Sequence, residues 1–355
     1  MIGADRPEVH LHHEEGQPVL STTPQQRAYD DVPAYKDLPL QGSHPTSWEV
    51  FGSDDDRGTT NFLTPERILA ATKSIREGRV ISLDYPVNAF MPFPTGTREG
   101  ASHTLFANNR YHRDDYLDSF YLQSTSQIDA LKHIGHPEVG FYGGIDPDRL
   151  AEDESRLGID AFARGLAGRG VLLDLERYLS GQGRPLDQES PTKIHLRDLL
   201  GAAEHQGVEI RRGDILLLRF GWASHYLALG PEERAARNKL NHYPGLAQTT
   251  EIVTWLWDMQ IAMIAADNLG VECSSLDGSH FALPNQPPPQ RGPEHNGMLH
   301  RVLIPLLGMP LGELWALDEL AEHCSNTGRW DFFLVSKPLN IRGGAGSPAN
   351  AVAIV

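Results

Sequence analysis

Four polar side chains suited to acid–base or metal chemistry lie within one short run, residues 122–134. Gln123, Gln127, Asp129 and His133 are separated by even numbers of residues. Side chains of an extended strand alternate between its faces, so an extended or partly extended run directs all four into one pocket. An amide, a carboxylate and an imidazole there can hold a metal ion, a water molecule or a substrate carbonyl. Residue types alone leave another interpretation open, because Asp and His in a Ser/Thr/Gln-rich run often form turns.

A second group of candidates lies in the C-terminal third of the chain. Asp267 and Asn268 end a predicted buried strand and Glu272 follows closely, a position that often marks a site. His300 opens an apolar run, and Glu313 opens a predicted helix over residues 313–324. A histidine and a carboxylate so placed are candidate ligands or acid–base groups. A favourable position of Glu313 in the first turn of a helix is the alternative.

Aromatic residues near these runs suggest an apolar or planar substrate. Phe141 and Tyr142 lie in a glycine-rich turn and can floor a pocket, although packing explains them equally well. Trp222 ends a predicted strand over residues 213–222 and is a further substrate-binding candidate. Three arginines in a predicted long loop, residues 88–116, are suited either to a carboxylate or to a solvated surface: Arg98, Arg110 and Arg113.

Composition excludes several classes of function. The formal net charge of −16 over 355 residues argues against nucleic acid and anionic membranes as partners, since both require basic surface. A small-molecule substrate remains compatible with this charge. Cys273 and Cys324 lack the spacing of a zinc site, and the glycine-rich loop at 343–346 lacks the Lys-Ser/Thr ending of a phosphate-binding loop. Without a long apolar run or an apolar signal core, the sequence predicts a soluble, cytoplasmic protein.

The chain is predicted to have two parts. Residues 1–45 are polar and proline-rich and are expected to form an N-terminal arm, which contains His10, His12 and His13. Residues 46–355 are expected to form a single catalytic domain, with strands and helices alternating from residue 170. A helix with Thr64 as its N-cap is expected to run past Ile75 and end at Gly78.

The domain resembles the cyclase family, which includes kynurenine formamidase and isatin hydrolase. The motif of that superfamily reads His-x-Gly-Thr-His-x-Asp-x-Pro-x-His, and the run from Gln123 to His133 corresponds to it. Further similar blocks occupy residues 58–66, 213–217, 244–246, 265–268 and 346–351. The resemblance implies an α/β fold with a β-barrel-like core surrounded by helices. It also implies a homodimer or homotetramer, and a hydrolase of amide or ester bonds, often cyclic, that uses a divalent metal such as zinc or manganese.

The resemblance also implies roles for individual residues. In the family the two early histidines and the aspartate are metal ligands, the last histidine is the acid/base, and a later histidine and glutamate complete the site. Asp129 and His133 match this pattern, and His300 and Glu313 correspond to the later pair. The chain departs from the motif where two glutamines replace the early histidines and where Thr125 and Leu131 replace the glycine and the proline. A neutral amide oxygen is a poorer ligand for zinc or manganese than imidazole, so the departures put the usual metal site in question.

Three functions are compatible with the sequence. In the first, one metal ion bound by Asp129, His300 and Glu313, with help from Gln127, polarises a carbonyl while His133 transfers protons.

In the second, the protein is a metal-independent cyclase, lyase or isomerase. Gln123 and Gln127 donate hydrogen bonds to a substrate carbonyl, and Asp129 and His133 perform acid–base chemistry. In the third, the fold serves as a non-catalytic binding protein for a small molecule.

Overall fold

The computed structural model describes residues 31–153, 155–237, 242–286 and 296–355. Residues 33–355 form one compact unit. Its strands are β1 (Leu40–Gln41), β2 (His44–Pro45), β3 (Val80–Ser82), β4 (Ser102–Asn109), β5 (His112–Asp118), β6 (Gln127–Asp129), β7 (Leu166–Asp174), β8 (Lys193–Ile194), β9 (Ile215–Arg219), β10 (Gly245–Leu246), β11 (Met263–Ala266), β12 (Leu311–Glu313), β13 (Asp331–Ser336), β14 (Gly346–Pro348) and β15 (Ala351–Ile354). Its helices are α1 (Pro65–Ala71), α2 (Pro147–Glu152), α3 (Leu175–Gly181), α4 (Leu196–Gln206), α5 (Trp222–Ala228), α6 (Pro231–Arg237), α7 (Thr250–Asp258), α8 (His300–Leu303) and α9 (Asp318–Thr327).

A nine-stranded, strongly curled sheet organises the unit and forms a half-barrel with helices around it. The strand order is β14-β6-β12-β11-β9-β7-β13-β15-β3. The four central strands, β12, β11, β9 and β7, are parallel, and antiparallel strands flank them on both sides. The expected α/β fold with a β-barrel-like core is confirmed.

Two of the central strands, β9 and β11, are continuous apolar runs because they are buried on both faces. Residues 215–218 of β9 and all of β11 are fully buried. Parallel strands with helices on both faces read as continuous apolar sequence rather than as alternating sequence. By contrast β13 alternates between buried and half-buried residues, which is typical of a strand covered mainly on one face.

The prediction of a long loop over residues 88–116 is wrong for the second half of that range. Strands β4 and β5 pair there as an antiparallel hairpin, with His103 opposite Leu117 and Phe106 opposite Asp114. Nearly all of its residues are exposed, so the hairpin has no buried face to impose an alternation of apolar and polar residues. Of the three arginines assigned to this loop, Arg98 donates to the carbonyl of Gln123, whereas the other two lie at the exposed tip of the hairpin.

Three element boundaries also differ from the sequence predictions. Glu313 lies in strand β12 rather than at the start of a helix, because residues 311–315 are wholly buried and pair within the sheet; α9 begins only at Asp318. Helix α1 keeps the expected Thr64 cap but ends at Ala71, followed by a 3-10 turn, Thr72–Ser74. Trp222 begins helix α5 instead of ending a strand, since β9 stops at Arg219.

The structure describes only the last part of the expected arm. Tyr35 is buried, and its backbone N–H donates to Asp258 over 2.7 Å. The indole N–H of Trp257 donates to the carbonyl of Pro33 over 2.8 Å. The segment at residues 33–35 is therefore held against helix α7. Residues 1–30, including the N-terminal histidines, lie outside the described residues, and the expected boundary at residue 45 remains a prediction. None of the helices described is long and apolar enough to cross a membrane.

The close packing of β12 gives a test of the sheet. A Cβ added at Gly312 would lie 2.5 Å from the Cβ of Ala265 and 2.7 Å from Nε1 of Trp315. We therefore expect Gly312→Ala to lower the free energy of unfolding by about 1–3 kcal/mol, the usual cost of overpacking a core. Denaturant unfolding measures this change. The control is Gly181→Ala at the end of α3, where nothing lies within 4 Å, and equal destabilisation of both variants would contradict the prediction.

Candidate active site

Strand pairing brings the first candidate residues together. Strand β6 pairs antiparallel with β12, and Gln127 lies opposite Glu313 in this register. Asp129 follows Gln127 by two residues and therefore projects to the same face, as expected for an extended run. On its other edge β6 pairs with β14, so its backbone is held on both sides. All three side chains are buried.

His300 forms a compact group with the carboxylates of Asp129 and Glu313. Its Nε2 lies 3.0 Å from Oε1 of Glu313 and 3.8 Å from Oδ2 of Asp129. One ligand atom of each of the three residues lies within 4.8 Å of the other two. The three residues proposed from sequence as metal ligands thus share one buried location, although they come from β6, α8 and β12.

Glu272 orients the imidazole from the opposite side. Its Oε1 lies 2.7 Å from Nδ1 of His300, and its carboxylate accepts the backbone N–H groups of Leu299 and His300 over 2.7 and 3.2 Å. With Nδ1–H donated to this carboxylate, Nε2 faces Asp129 and Glu313 and can bind a metal ion once it has lost its proton. The sequence analysis placed Glu272 near a site and assigned it no role. Its position shortly after the end of β11 was the one feature of the sequence that pointed to a function.

The neighbours of Glu272 after β11 have structural partners. Asp267 accepts the backbone N–H groups of Phe220 and Gly221, and burial raises its pKa to about 7 against the opposing effect of these hydrogen bonds. Asn268 donates to the carbonyl of Pro244 over 2.8 Å and shapes the loop that leads to Glu272.

The two glutamines of the motif donate to the carboxylates. The Gln127 amide donates to Oε2 of Glu313, and the Gln123 amide donates to Oδ1 of Asp129. Two buried oxygens, Oδ2 of Asp129 and Oε1 of Gln127, have no hydrogen-bond partner within the described part of the chain. A buried acceptor without a partner is costly, so these atoms favour a ligand between Asp129, His300 and Glu313.

The electrostatics of the site also favour a cation. Burial raises the pKa of Asp129 and Glu313 adds to this effect, while His133 and His300 oppose it. For His300, burial lowers the pKa, but hydrogen bonds to Glu272 and Glu313 outweigh burial and raise it to about 10. Three buried carboxylates thus surround one imidazole. Without a bound ion, protons on Asp129 and His300 offset this buried negative charge, and a divalent cation can replace them.

His133 lies at the more exposed edge of the group. Its side chain is 23% exposed, and its Nε2 is 3.9 Å from Oδ2 of Asp129. The Gln123 amide nitrogen is 2.9 Å from Nδ1, and the ring meets that of His300 edge-on with 6.3 Å between centroids. His133 therefore lies next to the carboxylate while remaining accessible to a substrate.

An aromatic cavity adjoins the site through Tyr243. Trp222, Tyr226 and Tyr243 line this cavity, and the first two rings stack at 5.1 Å. A Cβ added at Gly270 would lie 3.1 Å from the Tyr243 hydroxyl and 3.9 Å from Oε1 of Glu313, so the hydroxyl lies within about 7 Å of that oxygen. Polar residues also line the cavity: Gln188, Glu189, His225, Arg237 and His242.

Phe141 and Tyr142 have other surroundings. Tyr142 is buried beside Gly308 and donates through its hydroxyl to Asp55 over 3.2 Å. Phe141 packs against Gly135, where an added Cβ would lie 3.1 Å from its ring. These contacts give both rings a packing function, and their role in substrate binding remains a prediction.

Comparisons with known proteins agree with this architecture. Residues 53–273 match the family described as "Putative cyclase". A crystal structure described as a novel cyclase is 32% identical, with a TM-score of 0.73 over 87% of this chain and 99% of that chain. Isatin hydrolase A from Labrenzia aggregata, bound to benzyl benzoate, is 17% identical, with a TM-score of 0.52 over 78% of this chain and 93% of that chain. No curated protein matched the sequence.

The contact between Glu272 and His300 gives a test of the site. We expect Glu272→Gln to weaken the binding of Zn²⁺ or Mn²⁺ by about 10–100-fold, because the amide no longer raises the basicity of the imidazole or fixes its orientation. Metal titration of the full-length variant measures the effect. Glu209→Gln, an exposed glutamate paired with Arg211, is the matched control. Unchanged affinity in Glu272→Gln would show that His300 is not a metal ligand.

Proposed function

Because the chain belongs to the cyclase family, we propose that it is a hydrolase of an amide or ester bond in a small molecule, such as a lactam or lactone. The observation that carries the proposal is the convergence of Asp129, His300 and Glu313 around an unpartnered buried carboxylate oxygen. Beside it, His133 is accessible to a substrate. A carbonyl substrate can therefore contact both a cation site and a proton-transfer group.

The residues of the site suit one divalent ion. Asp129 and Glu313 supply oxygen ligands and His300 supplies nitrogen, a set compatible with Zn²⁺ or Mn²⁺. When bound, such an ion supplies Lewis-acid polarisation of a carbonyl oxygen. The Gln127 and Gln123 amides occupy the outer oxygens of the two carboxylates, which supports a site for one cation rather than two.

His133 is the group that exchanges protons with the substrate. Its Nδ1 faces the amide nitrogen of Gln123, which favours the neutral tautomer with the proton on Nε2. In this form Nε2–H can donate a hydrogen bond to the departing nitrogen or oxygen. The ring transfers a proton to that atom as imidazolium, after it has taken a proton from the attacking water. Asp129, 3.9 Å away, stabilises the positive charge whenever the imidazole becomes doubly protonated.

The aromatic cavity supports an aromatic or otherwise apolar substrate. Trp222, Tyr226 and Tyr243 offer aromatic rings to such a substrate, and Tyr243 is the one of them whose hydroxyl lies on the side of Glu313. Two structurally similar proteins are isatin hydrolases, and isatin is an aromatic cyclic amide. The cavity, rather than the distant similarity, is our reason for proposing an aromatic cyclic amide or ester as the substrate of this chain.

A metal-independent cyclase, lyase or isomerase is the second candidate. The replacement of both motif histidines by Gln123 and Gln127 favours it, because amide N–H groups can hold a substrate oxygen without a metal.

Metal content separates the two candidates. For the hydrolase we expect protein purified without added metal to carry zinc, manganese or iron at Asp129, His300 and Glu313. About one equivalent of it should be missing from His300→Ala, since one such ion fits this site. Elemental analysis measures the content, and chelation should abolish hydrolysis until metal is restored. Activity that survives complete removal of metal would favour the second candidate.

Removal of the His133 imidazole tests proton transfer. We expect His133→Ala to lower kcat by about 10²–10⁴-fold, the range for loss of a general acid or base, while metal content stays unchanged. His103→Ala in the exposed hairpin is the matched control. Steady-state kinetics measure the loss; full activity of His133→Ala would exclude it as the acid/base.

Shortening of Trp222 tests the cavity. We expect Trp222→Leu to lower kcat/KM for aromatic esters or amides by about 10–200-fold, the range for loss of apolar contacts in a substrate pocket. Small aliphatic esters should be affected much less, and this comparison controls for general damage to the fold. Equal losses for both substrate types would contradict the assignment of the cavity.

A further inference from the structure

A second cluster of metal-type ligands lies at the loop that follows His133. His44 of strand β2 contacts Glu138, with Nε2 2.7 Å from Oε2. The His136 ring lies beside that of His44, with 4.3 Å between centroids and 55° between planes. One ligand atom from each of these three residues lies within 4.8 Å of the other two. His136 is buried and His44 half-buried, whereas Glu138 is exposed.

The backbone holds this cluster in place. His136 and Gly140 exchange two backbone hydrogen bonds of 2.8 Å, which close the loop around Glu138. The backbone N–H of Glu138 lies 3.3 Å from Nδ1 of His136, a long hydrogen bond that a stronger partner can replace. His44 reaches the loop from β2, which pairs with the two residues of β1. The ligands therefore come from two segments far apart in sequence.

An ion pair alone does not account for the arrangement. The contact between His44 and Glu138 uses one imidazole, yet a second imidazole packs against the first. Both rings bring a nitrogen into the group of three ligand atoms beside the Glu138 carboxylate, which an ion pair between two residues does not require. The charge of Arg301 also acts on His136 and opposes a cation, and Glu138 balances it.

We propose that His44, His136 and Glu138 bind one divalent transition-metal ion of the zinc type. Two imidazoles and one carboxylate are a common three-ligand set for zinc, with water in the fourth position. The ion ties the β1–β2 hairpin to the loop that carries His133, three residues before His136. This site shares no ligand with Asp129, His300 and Glu313, so it stands whether or not the proposed hydrolase activity is found.

Zinc titration of the chelated full-length protein tests the proposal. The N-terminal histidines are first replaced in the variant His10→Gln/His12→Gln/His13→Gln, so that they do not add a binding site. In this background we expect Glu138→Gln and His44→Gln each to weaken the affinity of one zinc site by more than about 100-fold. Loss of a residue that only hydrogen-bonds to a metal ligand typically weakens the affinity by about 10–100-fold, and loss of a ligand should cost more. His205→Gln, an exposed histidine at the end of α4, should leave binding unchanged.

A second variant separates the two candidate sites. His300→Ala should abolish binding at the buried carboxylates while the site at His44 remains, and zinc should still raise the Tm of this variant. Combining it with Glu138→Gln should remove the rise in Tm. Because Glu138 is exposed, this substitution leaves the core intact. Equal zinc stoichiometry and affinity in the background protein, in Glu138→Gln and in His44→Gln would overturn the proposal.

Discussion

The need to compensate buried negative charge is the constraint on which the site depends. Asp129, Glu272 and Glu313 lie within the protein around a single imidazole. An uncompensated buried carboxylate costs several kcal/mol, so each of these groups requires donors or a counter-charge. Backbone N–H groups serve Glu272, and amides serve the outer oxygens of the other two. Oδ2 of Asp129 and Oε1 of Glu313 remain beside His300. These oxygens are suited to binding a divalent cation.

The sheet fixes this arrangement through its register. Gln127 lies opposite Glu313 because β6 and β12 are antiparallel, and a slip of one residue would turn Asp129 away from His300. Strand β14 on one side and β11 on the other hold the two strands in place. The tight packing at Gly312 restrains the strand that carries Glu313. The position of the carboxylates is thus a consequence of the core, and the stability of the sheet and the geometry of the site are coupled.

Local pattern and family resemblance predicted much of this site, and the rest depends on long-range contacts. The strand at Gln127–Asp129 and the buried central strands follow from spacing and apolar runs. The grouping of Asp129 with His300 and Glu313 follows from the resemblance to the family. The sequence did not predict the strand that carries Glu313, because pairing within the sheet overrides the helical pattern of the residues that follow. The hairpin β4–β5 has no buried face and therefore no periodic signal. The role of Glu272 depends on a contact with a residue 28 positions away, which no local pattern records.

The glutamines at positions 123 and 127 acquire a definite meaning from these contacts. The resemblance to the family implies metal-binding histidines there, and in this chain the amides donate hydrogen bonds to the same carboxylates that a metal would otherwise neutralise. An amide N–H satisfies one oxygen lone pair but adds no positive charge, so it compensates less than an ion does. The remaining demand for charge is concentrated at Oδ2 of Asp129, which faces His133 at 3.9 Å and His300 at 3.8 Å. Under the proposed function, a cation at this oxygen would lie between Asp129, His300 and Glu313, with His133 beside it.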